Sequence, residues 1–464
     1  MQFWRIKASW FAIFMCRVKT MGDISVKHSL EGLFVSLLLP FLILVSDSSH
    51  GQEAKTGWKA LDLKDWKGKS SNGNGYDLGT GWATHSLPLG LVEGKWVRVI
   101  GSADANSPDF MILISVFNEQ SRAINRSLPT LCETVGNRKM CSGASWIRPG
   151  GATAKVTLYS NYLPVTVVLE KAEVAVESQV RQVNVSRFEA ITSDMARLYF
   201  RTSEVDWPLI KSKVEMALQS PEDIDPIPYA VLQLLSHLPD SKHSAVYRTE
   251  GRVTGEPLLP LCKKLQSGGV STWRLDLPGT PSREQDNALY IQAANTCLAR
   301  PGVRRWVINL TENSGGDAIV MFAALSQLFK AGPLMEFQNT SGGRFVVAKS
   351  SEGISINGKL NQRVKTTHRP FQGKVLVAVS KACASSCEAV AIAMKGQHQV
   401  VGTSTAGLAT ANESLPLNSR FSLAITSGYM ADAKGKIYSI VVPDLAVSDE
   451  VIARIIQKGT FRHE

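Results

Sequence analysis

The chain has 464 residues, 44% of them hydrophobic and 20% charged, and a formal net charge of +11. That length is enough for two or three domains, and no internal repeat or long low-complexity linker interrupts it. The basic excess fits attraction to an anionic envelope surface or acidic substrates. Without a long basic run, aromatic-basic interleaving or a nucleic-acid motif, it does not make nucleic acid an expected partner.

In chain order, the first signal is Lys27-His28, the apolar run Leu33–Val45 and the small polar residues Ser46–Gly51. A charged start, a short apolar centre and a cleavage zone predict a signal peptide over 1–51 and a periplasmic or secreted protein, with an uncleaved membrane anchor as the alternative. The apolar run is too short for an ordinary span. Met21 stands just ahead of this signal as an alternative start to Met1, and no cysteine follows the run to carry a lipid.

From 52 to 180 the chain shows strand-like runs at Trp96–Ile100, Phe110–Val116, Lys155–Tyr159 and Thr166–Glu170, separated by Gly, Ser, Asn and Pro clusters. Spaced strands with turn chemistry predict a β-sandwich, similar to a galactose-binding jelly roll. Trp58, Trp66, Trp82 and Trp146 are either sugar-stacking residues, which would give this domain a carbohydrate or envelope contact, or core residues; the core reading is preferred. Residues 181–250 read as a helical subdomain, with Ile210, Val214, Met216 and Leu218 apolar. Residues 251–464 read as an α/β core: an apolar strand Trp306–Leu310, Gly315-Gly316, a helical stretch Ile319–Phe329, then Lys374–Ser380 and a helix through Met394.

The stretch Lys381-Ala382-Cys383-Ala384-Ser385-Ser386-Cys387-Glu388 follows that second apolar run and opens its helix. A hydroxyl there lies near the free N–H groups of the helix start, where an acyl-transfer nucleophile belongs. Taken alone, the Ser pair reads as an N-cap; its company elsewhere in the chain favours the nucleophile. Of the seven cysteines, loss of Cys16 with the leader leaves Cys132, Cys141, Cys262, Cys297, Cys383 and Cys387, an even set consistent with disulfides in an oxidising space, whose pairing the spacing does not fix. Cys383 and Cys387 bracket Ser385. No further Cys or His pair has zinc spacing, and neither a metal nor another cofactor is expected. The Gly-x-Ser-x-Gly elbow, the His-Glu-x-x-His helix and the phosphate-binding loop are all missing.

Together with Gly402-Thr403-Ser404-Thr405-Ala406-Gly407-Leu408, Phe421–Thr426, Tyr438–Asp444 and Trp306–Asp317, the Ser385 stretch resembles the C-terminal processing (tail-specific) serine peptidases, in the branch similar to nisin-resistance proteins and tricorn-type cores. The resemblance covers roughly the C-terminal three fifths of the chain. It implies a crotonase/Clp-like peptidase core with Ser385 as nucleophile and a peptide or protein substrate. In the Ser-Lys branch a lysine closes the turn that here ends in Leu408, which cannot take a proton. The base is therefore expected to be histidine, and Leu238-Pro239-Asp240-Ser241-Lys242-His243-Ser244 after Val205-Asp206-Trp207 is similar to the segment that carries it. His243 has an imidazole suited to accepting the serine proton and returning it; read alone, it is a solvated loop histidine. His85, His237, His368 and His398 lack motif support.

Gly315, Gly316 and Ser386 are the expected sources of oxyanion N–H groups. Glu388 is either an orienting carboxylate or a first-turn acid favoured by the helix dipole. Asn309 and Thr311 stand where members of the resembled family often have Asp and Arg, which puts a supporting ion pair in doubt but leaves the backbone donors available. The interval between His243 and Trp306 leaves little room for a PDZ domain. The expectation is an exported serine peptidase; the alternative is a non-catalytic envelope or carbohydrate-binding protein that has kept the fold.

Overall fold

The computed structural model of the protein describes residues 58–61, 76–77, 82–87 and 92–459, the last without 108–109, 126, 129, 161–164, 250–256, 267–268, 282–283, 340–341 and 365–370. The expected leader with Cys16 and Met21, and also Trp66 and His368, lie outside the described residues. The chain forms a mixed α/β structure with several sheets.

Period-2 alternation builds the first part. Every second side chain of Met111–Phe117 and Thr153–Tyr159 is buried, as a strand with one inward face requires. Ile112, Ile114, Val156 and Leu158 meet Val97, Val99 and Val167 in one cluster. One sheet runs Trp58–Ala60, Thr166–Ala175, Trp96–Asp104, Arg138–Trp146, Leu131–Val135, with Tyr76–Asp77 beside the 166–175 strand. The other runs Trp82–Leu87, Thr153–Tyr159, Met111–Phe117, Ala123–Asn125. The hairpin Leu131–Val135/Arg138–Trp146 was not among the expected strands. Its first strand is short and mostly exposed, so it shows no buried alternation. Cys132 and Cys141 face each other across it and form a disulfide.

The helical segment is three helices, Gln182–Leu198, Trp207–Val214 and Ile227–Leu235, and Met216, expected on its apolar face, is exposed. Asp206 caps the second helix by accepting the Leu209 N–H, and Pro208 lies in its first turn, where a missing donor costs nothing. Tyr229 donates its hydroxyl to the Trp146 carbonyl (2.7 Å) and meets the edge of the Trp96 ring. These residues share one cluster with Leu234, Phe421 and Leu423. Buried apolar surface therefore runs without a break from the first sheet through the helices into the C-terminal part, across both expected boundaries at 180/181 and 250/251. Strand Ala245–Arg248, on the helical side of the second boundary, pairs with Phe421–Asp432.

The C-terminal part holds two sheets. The first has the order Leu261–Leu265, Thr272–Asp276, Arg305–Asn309, Lys374–Val379, Gln399–Gly402, Leu445–Ala446, parallel from Thr272–Asp276 onward. Its central strands are near-continuous apolar runs because both faces are covered. Trp306, Ile308, Val377 and Val379 pack with helices Asn287–Leu298, Ala318–Ala324 and Ser386–Lys395, while Val307, Leu376 and Ala378 meet Ile452 and Ile455 of Asp449–Lys458. The expected helix 319–329 is a shorter helix followed by a 3-10 turn at Ser326–Leu328. The second sheet runs Ala245–Arg248, Phe421–Asp432, Gly332–Asn339, Arg344–Lys349, Gly353–Ile356, Lys359–Arg363, with Thr410–Pro416 and Ile437–Tyr438 also paired to the long strand Phe421–Asp432. Loops 310–317 and 380–385 leave the carboxyl ends of two adjacent parallel strands, the place where open α/β sheets bind ligands.

Candidate active site

Ser385 sits between the buried strand Lys374–Val379 and helix Ser386–Lys395, with φ 56° and ψ −120°. A non-glycine residue held there costs about 1–3 kcal/mol and persists only where its surroundings fix it. One restraint is the disulfide from Cys383, in the loop, to Cys387, in the first helical turn. Another is Glu388. Its fully buried carboxylate accepts the Ser385 N–H (3.0 Å), the Leu408 N–H (2.8 Å), the Gly407 N–H (3.1 Å) and the Thr405 hydroxyl (2.6 Å). Burial pushes its pKa up and these four donors pull it back, with a net upward shift. Glu388 is thus a tie between the Ser385 backbone and the 405–408 turn, beyond what a helix-dipole acid does. Thr405 extends the tie by accepting the Val441 N–H (2.9 Å).

The neighbouring loop carries Gly315 (φ 109°) and Gly316 (φ 126°). Cβ atoms there would lie 2.8 Å from the Ala384 carbonyl and 2.1 Å from Thr280 Oγ1 respectively, so no other residue fits without displacement. The Gly315 N–H, one of the expected donors, is taken by Asn313 Oδ1 (2.9 Å). The Gly316 N–H makes no hydrogen bond among the described residues, and that of Ser386, first in its helix, has no intrahelical acceptor. The Ser386 hydroxyl donates to the Gly316 carbonyl (2.5 Å) and fixes the two loops to each other. Asn309 donates to Asp276 (2.6 Å) and accepts from the Thr311 hydroxyl (2.8 Å). Asp276 also pairs with Arg274 (2.7 Å).

His243 ends a single 3-10 turn, Ser241–His243, between the helix Ile227–Leu235 and strand Ala245–Arg248. Its Nδ1 lies 2.8 Å from Thr410 Oγ1, and its carbonyl accepts from Asn412 Nδ2 (2.9 Å). Burial lowers the imidazole pKa to about 4. His243, Gly316, Ser385, Ser386, Thr410 and Asn412 line one cavity of about 250 Å³, whose apolar wall includes Phe337, Ala411 and Met430. No hydrogen bond joins Ser385 to His243 directly, and among the described residues no lysine lines the cavity. Thr405, Thr410, Asn412 and Ser414 were not singled out from the sequence. The alternation Thr410-x-Asn412-x-Ser414 on one strand was the available signal.

The remaining expectations fall elsewhere. His237 and His398 are half-buried with pKa values lowered by burial, and His398 Nε2 contacts the Leu328 carbonyl. His85 lies on strand Trp82–Leu87. Trp146 is buried. Trp58 donates to Asp223 (2.9 Å) and carries the Arg98 guanidinium over its ring. Cys262 pairs with Cys297. Among the described residues, no three His, Cys, Asp or Glu side chains converge as a metal cage.

Residues 281–447 match the family model described as peptidase family S41. The chain carries a peptidase family S41 domain. Its match covers the two glycines, the Ser385 loop, the 402–408 turn and Thr410, and ends before the C-terminal helix. Over 264 residues the chain is 23% identical to the nisin-resistance protein of Lactococcus lactis subsp. lactis, covering 55% of this chain and 81% of that one. Among solved structures, a lipoprotein from Streptococcus agalactiae superposes with a TM-score of 0.49 at 19% identity, over 57% of this chain and 92% of its own. The photosystem II D1 C-terminal processing protease gives 0.33 at 18%, over 45% and 54%.

Proposed function

We propose that the protein is an exported serine peptidase that cleaves peptides or proteins through an acyl-enzyme, with Ser385 as nucleophile and His243 as base. One observation carries this reading: Gly316, Ser385 with Ser386, and His243, from three separate chain segments, line a single cavity. Ser385 Oγ attacks the scissile carbonyl carbon as its proton passes to His243 Nε2. The developing oxyanion is met by the Gly316 and Ser386 N–H groups, donors already fixed in place. Collapse expels the amine, which takes the proton back from His243, and water then hydrolyses the ester by the same path. Leu408 at the turn supports histidine over lysine as the base.

Three disulfides support an oxidising destination, in keeping with a cleaved leader over 1–51 and a periplasmic or secreted enzyme. The paired N-terminal sheets around one cluster fit a β-sandwich, and the parallel sheet with its helices fits a crotonase/Clp-like core. The decisive test is labelling with a fluorophosphonate probe. The expected result is label on the wild-type protein and none on Ser385→Ala; equal labelling of both would remove Ser385 as nucleophile.

A further inference from the structure

Serine peptidases that use histidine commonly orient it with a carboxylate, which fixes the tautomer and stabilises the imidazolium. Here the ring's hydrogen-bond partner is a hydroxyl, Thr410 Oγ1 at 2.8 Å from Nδ1. Thr410, Asn412 and Ser414 lie on the strand Thr410–Pro416. All three side chains reach the base region: Thr410 meets the ring, Asn412 the His243 carbonyl, and Ser414 Oγ the hydroxyl of Tyr247 at 2.7 Å, on the strand that follows. That strand is held through its backbone by Phe421–Asp432, so its side chains are placed by a long sheet partner rather than by a free loop.

A neutral imidazole has one N–H and one lone pair, and the partner at Nδ1 decides which nitrogen carries the proton. If Thr410 donates to Nδ1, Nε2 keeps its hydrogen and cannot act as a base. If Thr410 accepts from Nδ1, the Nε2 lone pair is available to the serine. We propose that Thr410 is the positioning residue of this site, its hydroxyl accepting the Nδ1 proton of His243 and leaving the Nε2 lone pair for Ser385, in the place a carboxylate would hold. This rests on His243 being the base. During acylation the Ser385 proton moves to Nε2, the Nδ1 proton stays on its bond to Thr410, and the Nε2 proton leaves with the amine. A hydroxyl orients the ring without offering the negative charge that would stabilise the imidazolium.

The test compares Thr410→Val, which keeps the β-branched shape a strand accepts but removes the hydroxyl, with Thr410→Ser, which restores it. The expected result is a loss of roughly 10- to 100-fold in the fluorophosphonate labelling rate for Thr410→Val, recovery to within a few-fold in Thr410→Ser, and unchanged melting of both. The imidazole nitrogen NMR shifts of His243, read in the Ser385→Ala protein and assigned by difference from Ser385→Ala/His243→Ala, should place the proton on Nδ1 and show it redistributed in Thr410→Val. A Thr410→Val protein that labels at the wild-type rate, or a proton found on Nε2 with Thr410 intact, overturns the proposal. If the wild-type protein takes no label, the Ser-His reading falls, while the NMR shifts still decide what Thr410 does to the ring.

Discussion

The two halves of the candidate site are built to different standards of rigidity. On the nucleophile side, Ser385 has a backbone conformation costly for serine, held by a disulfide, a buried carboxylate with four donors and a helix start. On the base side, His243 ends a single 3-10 turn, and neutral side chains from one neighbouring strand hold its ring and carbonyl. The oxyanion donors and the attacking atom gain most from being fixed before substrate arrives, whereas a base needs only reach and the right tautomer. The lesson is that restraint is concentrated where a small displacement would cost most.

Removing either proposed reacting group is the strongest way to break this comparison. Ser385→Ala and His243→Ala are each expected to lower kcat/KM by roughly 10⁴-fold or more, and the double variant should lose little beyond the worse single one, because the two act as a unit. Losses that multiply in the double variant would show two independent groups. Ser385→Gly should be as inactive as Ser385→Ala but melt higher, since glycine accepts a positive φ without strain; equal melting would deny that the backbone there is strained. Leu408→Lys should not rescue His243→Ala, because a lysine base also needs a desolvated setting to lower its pKa.

Glu388 comes next. Replacing it by Gln keeps the size but turns one acceptor oxygen into a donor facing the Ser385 and Leu408 N–H groups or Thr405 and the Gly407 N–H. An unsatisfied buried donor costs about 1–3 kcal/mol, so Glu388→Gln should lose stability of that order, measured by denaturant titration, together with activity. The same substitution tolerated without loss would return Glu388 to an ordinary helix acid.

The disulfide sharpens the comparison by separating local order from global stability. A bridge between Cys383 and Cys387 closes a very short loop and adds little through unfolded-state entropy. Cys383→Ala/Cys387→Ala should therefore reduce the labelling rate by roughly tenfold through misplaced groups while shifting Tm by only a few degrees. A larger fall in Tm than in rate would assign the bridge to folding instead.

How much of this could be read from the sequence follows the same division. Ser385, Gly316 and Glu388 belong to short continuous motifs at strand ends, where local chemistry and position coincide, so the sequence alone singles them out. His243 was reached by resemblance to a segment far upstream. Thr410, Asn412 and Ser414 were missed because alternating polar residues in a strand look the same whether they face solvent or a catalytic loop, and only the pairing with Phe421–Asp432 decides. Gly315 was expected as a donor because its residue type permits it; the Asn313 side chain that occupies its N–H was visible in the motif but had no assigned direction. The hairpin at 131–146 escaped because its exposed first strand lacks a buried face. Domain limits drawn from composition missed that Trp96, Tyr229 and Phe421 share a core.

The smallest expected effect is in the pH response, and it tests the base side alone. An unperturbed histidine titrates near 6.5, so an ordinary base would lose activity as the pH falls through that value. Burial lowers His243 to about 4, which keeps Nε2 unprotonated through the weakly acidic range. The acid limb of kcat/KM should therefore fall near 4, with little change between about pH 5.5 and 8. The sign carries over to stability. A histidine whose folded pKa is depressed binds its proton more readily when unfolded, so its contribution is fully present above 6.5 and is lost as the pH falls toward 4. His243→Gln should flatten that part of the stability curve. A limb near 6.5 in kcat/KM would show that the imidazole is as exposed to water as a free loop histidine, and that the base side is looser than its bonds to Thr410 and Asn412 imply.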